Sequence, residues 1–195
     1  MSHILITGGC GFIGTNLIAH LVASDVSEIR VLDNESLGKR EHLDGTGVEF
    51  INGDVCDRDC VREALTDVDI VVHLAADTRV VESIENPAHN FRTNVVGTYN
   101  LLECMRDLGV MRLINASTGG AILGEATPPV HEEMVPAPLS PYGASKLAVE
   151  GYCSAFSACY GMDIVSLRFS NVYGPHSHHK GSVVAEYFRR VIAGE

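Results

Sequence analysis

Clustered lysines and arginines are missing from this chain. Its 14 basic residues stand against 25 acidic ones, for a formal charge of −11. Without a basic run it lacks the surface that tracks nucleic-acid phosphates. CxxC pairs are missing too. Cys10, Cys56, Cys60, Cys104, Cys153 and Cys159 are spaced as reduced thiols, not as a zinc ribbon or a dithiol redox site. The opening "MSHILITGG" has no basic segment followed by a signal core. The longest apolar runs, such as "DIVVHLAA", fall far short of the roughly 20 residues that span a bilayer. Nucleic acid and membrane are therefore not expected partners, and a cytoplasmic location is the default expectation.

What is present is enough apolar material for a core: 46% of 195 residues are apolar and 20% charged. That length fits one domain with a remainder. Six β-branched runs alternate with stretches of helical character: "HILIT", "IRVLD", "VEFIN", "DIVVHLA", "RLINAS" and "DIVSLRF". Nearly continuous apolar strands are expected when helices cover both faces of a parallel sheet, so the expected fold is a doubly wound α/β sheet. The helical segments "GFIGTNLIAHLVAS" and "NVVGTYNLLECMRDLG" carry apolar residues three and four apart, and Gly109 reads as the C-cap of the second. The stretch from Glu125 to Pro141 holds five of the seven prolines and reads as an extended surface loop. After it, Leu147, Ala148, Gly151, Tyr152, Ala155, Phe156 and Cys159 mark a long helix with a broad, small-residue face. Two covers suit that face, the chain's own sheet or the same helix of a second copy.

"TGGCGFIG" runs from the first strand straight into the first helix and places Gly8, Gly11 and Gly14 at the turn. Free backbone N–H groups and a positive dipole end at such a turn suit a pyrophosphate, although tight packing alone also needs glycine. Asp33 ends the second strand about 20 residues later, where a carboxylate accepts hydrogen bonds from an adenosine ribose. It would repel a 2′-phosphate, which favours NAD over NADP. Asp54, after the third strand, reads equally as an adenine contact or as a cap for a helix starting near Asp57. Ala75 and Ala76 end the fourth strand and are small enough for a ligand to lie across the backbone there, or are simple packing.

In "SPYGASK", Tyr142 and Lys146 stand one helical turn apart, so both reach a common group. A phenol titrates near 10 and is a poor base at neutral pH. A neighbouring ammonium and a cationic nicotinamide ring would stabilise phenolate, which predicts a lowered Tyr142 pKa.

"TGGCGFIG", "VLDN", "GDV", "HLAA", "VVESIENPAHNFRTNVVGTYNLLE", "STGGA", "YGASK" and "LRFSNVYGP" occur in one order from Ile4 to Pro175. In that order they resemble the extended short-chain dehydrogenase/reductases, specifically the NAD-dependent sugar-nucleotide epimerase/dehydratase family. The resemblance implies a Rossmann domain over residues 1–175 and the start of a substrate-binding region over 176–195. It implies that Gly8, Gly11, Phe12, Ile13 and Gly14 hold the pyrophosphate of NAD, Asp33 and Asn34 the adenosine ribose, and Asp54 and Val55 the adenine. Leu74, Ala75 and Ala76 would meet the middle of the cofactor. Asn94 would support its side of the site, and Phe169 would meet the nicotinamide. Thr118, Tyr142 and Lys146 match the catalytic triad, with Lys146 also on the nicotinamide ribose, Ser117 as the alternative to Thr118, and Asn171 on the substrate.

Dehydratases of that family carry an Asp-Glu pair after the catalytic Thr, whereas Thr118 is followed by Gly119 and Gly120. This favours epimerisation of a UDP-hexose at C4 through a 4-keto sugar. Leu123 replaces a Tyr of the family pattern, which either reshapes the sugar pocket or is repacking. Family members continue well past "NVYGP", so the chain is expected to be C-terminally truncated. A catalytically idle NAD-binding module is the other hypothesis, and a homodimer through a helix pair is expected in either case. His176, His178 and His179 have no Cys or carboxylate nearby in sequence and read as a polar loop, not a metal site.

Overall fold

The computed structural model describes residues 2–26, 28–177 and 183–194. All six expected strands form: β1 (Ile4–Thr7), β2 (Ile29–Asp33), β3 (Glu49–Asn52), β4 (Ile70–His73), β5 (Arg112–Thr118) and β6 (Asp163–Phe169). Every pairing is parallel, in the order β3-β2-β1-β4-β5-β6. The order reverses between β1 and β4, so a crevice opens beyond the carboxyl ends of these two strands, the usual ligand position in such sheets.

The helices are α1 (Phe12–Ala23), α2 (Arg58–Ala64), α3 (Val80–Glu85), α4 (Pro87–Phe91), α5 (Gly97–Leu108), α6 (Gly119–Leu123), α7 (Pro141–Tyr160) and α8 (Val183–Ala193). A π-helical turn, Arg92–Val96, joins α4 to α5. Capping residues set several boundaries. Asp57 accepts from the Asp59 and Cys60 amides and starts α2. Gly109, at φ 75°, ends α5, and Ser140 followed by Pro141 starts α7.

The larger core lies between one sheet face and helices α2, α5 and α7, around Leu5, Leu101, Leu102, Met105, Leu113 and Phe156. The smaller one lies under α1, around Ile6, Ile18, Ile29 and Val31. Beyond the reach of α1 this second face is open, and Ile114, Val165 and Leu167 of β5 and β6 are exposed. The expectation of cover on both faces therefore holds for β1, β2 and β4 but not at the β6 edge. On α8, Tyr187, Phe188, Val191 and Ile192 are exposed as well.

The long helix buries only part of the expected stripe: Phe156 is buried in the core, and Leu147 and Ala148 are half-buried. Lys146, Val149, Cys153 and Phe156 face the sheet, while Gly151, Tyr152, Ala155 and Cys159 face outward. The chain's own sheet covers Phe156 of that face, while Gly151, Tyr152, Ala155 and Cys159 lie on the side away from Lys146 and Val149 and stay exposed.

Candidate active-site cleft

A cleft of about 820 Å³ opens at the carboxyl ends of the strands. Its floor is the glycine turn. Gly8 sits at φ 70°, and a Cβ there would lie 2.6 Å from the Ala75 amide nitrogen, so only glycine lets β1 and β4 close up. Gly11 caps α1 without a side-chain acceptor, and the first turn has no acidic residue. The positive end of this 12-residue helix thus meets the cleft through Gly11, Phe12, Ile13 and Gly14. This feature fits a pyrophosphate.

Beside it lies Asp33, buried, its Oδ2 accepting from the Cys10 amide at 2.9 Å and its Oδ1 from the Glu35 amide at 2.8 Å. Burial raises its pKa, and the two amide hydrogen bonds pull the other way. The Cys10 thiol acts to lower the Asp33 pKa as well, and the carboxylate lines the cleft as an acceptor. Asn34 donates to Asp54 Oδ2 at 2.9 Å, and Asp54 and Val55 line the same end. Asp54 does not cap α2, because Asp57 does. Burial pushes Asp54 up, but hydrogen bonds from the Cys56 amide and Asn34 leave it net below the usual carboxylate value.

The middle wall is Leu74, Ala75, Ala76 and Asp77, held from behind by a buried polar chain. Thr98 Oγ1 donates to the Asn94 carbonyl at 2.6 Å and therefore accepts from His73 Nε2 at 2.8 Å. That leaves His73 Nδ1 to accept from Thr7 Oγ1 at 2.7 Å, and Thr7 Oγ1 in turn accepts from the Ala75 amide at 3.3 Å. His73 is neutral, its pKa pushed down to about 3 by burial and then by the Lys146 charge. Asn94 belongs to this support. Its Oδ1 takes the Asp77 amide, its Nδ2 reaches the Asp77 carbonyl and Ser145 Oγ, and it does not line the cleft. Of all the residues expected to line the site, Asn94 alone is set behind its wall.

On the far wall stand Ser117, Thr118, Tyr142, Lys146, Phe169 and Asn171. Thr118 precedes α6 without a side-chain cap, and its hydroxyl lies close enough to the Tyr142 phenol to pull the phenol's pKa down. Ser117 Oγ instead donates to Glu150 at 2.6 Å, and Glu150 also pairs with Arg168 at 2.7 Å. Ser117 is therefore committed elsewhere, and Thr118 is the hydroxyl that meets Tyr142. Lys146 is buried, donates to the Ala116 carbonyl at 2.9 Å, and has its pKa lowered by desolvation to about 8. The Tyr142 pKa is raised, chiefly by burial and further by the Asp77 charge, with the Thr118 hydroxyl acting the other way. The expected lowering invokes a bound nicotinamide ring as well as Lys146.

Leu123 is buried and lines the cleft. His176 is exposed, His178 and His179 lie outside the described residues, and no metal-holding cluster occurs among the described residues. Asp77, Asn90, Ser145, Glu150 and Arg168 were not singled out in the sequence, although Asn90, Ser145 and Arg168 lie inside the quoted motifs. Polar residues within otherwise apolar helix faces, such as Ser145 and Glu150, were the available clue. No described helix is long and apolar enough to cross a membrane.

Known proteins share this arrangement. The description "NAD dependent epimerase/dehydratase family" matches residues 4–195. The UDP-glucose 4-epimerase of Mycolicibacterium smegmatis is 36% identical over 97% of the chain and 63% of its own length. A Thermus thermophilus UDP-glucose 4-epimerase, solved in complex with NAD, is 43% identical with a TM-score of 0.91, covering 98% of this chain and 63% of that one. A Thermotoga maritima UDP-glucose 4-epimerase, solved with UDP-glucose, is 37% identical with a TM-score of 0.93, covering 99% and 64%. The chain thus spans less than two thirds of the length of these relatives. It belongs to the NAD dependent epimerase/dehydratase family, a family of enzymes whose cofactor is NAD.

Proposed function

We propose that this family member carries the NAD-binding and catalytic part of a UDP-hexose 4-epimerase. The observation that carries the reading is the meeting of Thr118 with Tyr142 in the same cleft as the glycine turn and Asp33. In this reading Gly8, Gly11, Phe12, Ile13 and Gly14 bind pyrophosphate at the α1 dipole, and Asp33 and Asn34 take the adenosine ribose. Asp54 and Val55 face adenine, Leu74, Ala75 and Ala76 pass the middle of the dinucleotide, and Phe169 faces the nicotinamide. Asn94 acts from behind by fixing Asp77. Residues 1–175 form the cofactor domain, and 176–195 begin a substrate region.

Bound NAD would supply a reversible hydride acceptor in its cationic nicotinamide ring, so that epimerisation would proceed with no net oxidation. As the phenolate, which the positive nicotinamide ring would favour against the burial that raises its pKa, Tyr142 would take the proton of the sugar 4-hydroxyl and later give it back. Thr118 holds that oxygen, Lys146 places its charge on the ribose side, and Asn171 meets the substrate. Gly119 and Gly120 offer no acid for eliminating water, which favours epimerisation over dehydration.

The exposed stripe of α7, where Tyr152 packs edge-on against Tyr99 of α5 at 5.4 Å, supports a homodimer through this helix pair. Work in the cytoplasm is the matching location. The 63 to 64% share of the relatives' length supports a second reading, in which these 195 residues bind NAD without turnover. One experiment separates the two: the purified chain is incubated with UDP-glucose or UDP-galactose, with Tyr142→Phe as control and NAD occupancy measured in parallel. Interconversion by the wild type alone supports the epimerase. NAD occupancy without interconversion would falsify it for this chain.

A further inference from the structure

Among the described residues, the buried side-chain oxygens Asp77 Oδ1 and Asn115 Oδ1 have no hydrogen-bond partner, and Glu82 Oε2, which makes no counted hydrogen bond either, is ion-paired with Arg79. Asp77 is the one of these residues that lines the cleft. It is 7% exposed, and everything around it but that oxygen is satisfied. Its amide donates to Asn94 Oδ1 at 2.8 Å, and its carbonyl accepts from Asn90 and Asn94 at 3.1 and 3.0 Å. Its Oδ2 accepts from Asn90 Nδ2 at 3.1 Å. The carboxylate is therefore held in one orientation by a purpose that local packing does not explain, since a buried acceptor left open is unfavourable and uncommon. The nearest cation, Arg79, has Nε 3.8 Å from Oδ1, too far for a hydrogen bond, and that nitrogen is paired with Glu82.

We propose that Asp77 Oδ1 is a binding site for a sugar hydroxyl of the ligand in this cleft. The proposal rests on the reading of the cleft as a dinucleotide and sugar-nucleotide site. An ionised carboxylate only accepts, so it selects a hydroxyl donor and repels phosphate. Asp77 also stands close enough to Tyr142 for its charge to raise the phenol's proton affinity, which places the bound hydroxyl near the reacting end of the cleft. Two sources present that chemistry, a ribose of NAD and the hexose of the sugar nucleotide.

Calorimetric titration of the wild type and Asp77→Asn distinguishes them, first with NAD and then with UDP-glucose at saturating NAD. The substitution keeps the shape and the Asn90 contact. A loss of about tenfold or more in affinity is expected for one ligand. Loss in the NAD arm assigns the ribose, and loss in the UDP-glucose arm alone assigns the hexose. Unchanged affinity in both arms, with the wild type binding normally, overturns the proposal and leaves the functional reading intact. A wild type that binds neither ligand overturns that reading and the proposal with it. If a thermal melt shows Asp77→Asn unfolded, singly deoxygenated NAD and UDP-glucose analogues are titrated into the wild type instead. Full retention by every analogue then overturns the proposal.

Discussion

Lys146 Nζ donates a 2.9 Å hydrogen bond to the carbonyl of Ala116, two residues before Thr118 on β5. A charged amine is thereby buried against the sheet, with desolvation lowering its pKa from 10.5 to about 8. Between these values the unfolded chain holds the proton and the folded chain does not, so this group adds stability as pH rises from about 8 to 10.5. Lys146→Met is expected to be more stable than wild type at pH 7, by about 1–3 kcal/mol. Its advantage shrinks toward pH 10. Thermal melts of both proteins across that range check the sign, and a constant difference would count against the buried ammonium.

Thr118 is expected to tune Tyr142 as well as hold substrate. Its hydroxyl is the one influence that lowers the phenol's proton affinity against burial and Asp77. Thr118→Val should move phenolate formation to higher pH, read by ultraviolet titration with Tyr142→Phe subtracted. It should also reduce the proposed interconversion by about 100-fold. Thr118→Ser should restore both. An unmoved titration would mean that the hydroxyl does not act on the phenol.

The glycines of the turn are expected to separate folding from binding. A Cβ on Gly14 would lie 2.6 to 2.7 Å from backbone atoms of Gly8 and Gly9, which cannot yield cheaply. Gly14→Ala should therefore lose about 1–3 kcal/mol of stability. A Cβ on Gly11 meets only the Gly8 carbonyl at 3.3 Å, and Gly11 lines the cleft. Gly11→Ala should melt near the wild-type temperature yet bind NAD more weakly. Equal melting losses for the two variants would contradict this division.

His73 should make the chain acid-sensitive. Burial holds its folded pKa near 3 against 6.5 in the unfolded chain, so the unfolded state binds the proton first as pH falls. Stability from this source is complete above pH 6.5 and is lost progressively toward pH 3. His73→Asn should be less stable at pH 7, by about 1–3 kcal/mol for the disturbed Thr7 and Thr98 hydrogen bonds, and should lose less on acidification. Chemical denaturation at pH 7 and pH 4.5 tests this, and parallel losses in both proteins would refute it.

The strand sequence and the first glycine turn were legible because their signals are local. β-branched runs such as "IRVLD" form strands almost to the residue, Gly109 stops α5, and the "TGGCGFIG" turn needs only the steric freedom of its own backbone. Tyr142 and Lys146 were legible as a pair because a helix repeats every turn. Distance along the chain hid the rest. The environment of Lys146 depends on Ala116, the proton affinity of Tyr142 on Asp77 and Thr118, and the withdrawal of Ser117 on Glu150. Likewise, no periodicity reveals that Asn94 faces Asp77 and Ser145 behind the wall, or that the small-residue stripe of α7 faces outward. Local backbone preferences are written in neighbouring residues, whereas burial, desolvation and hydrogen-bond partnership exist only once β4, β5 and α7 are packed side by side.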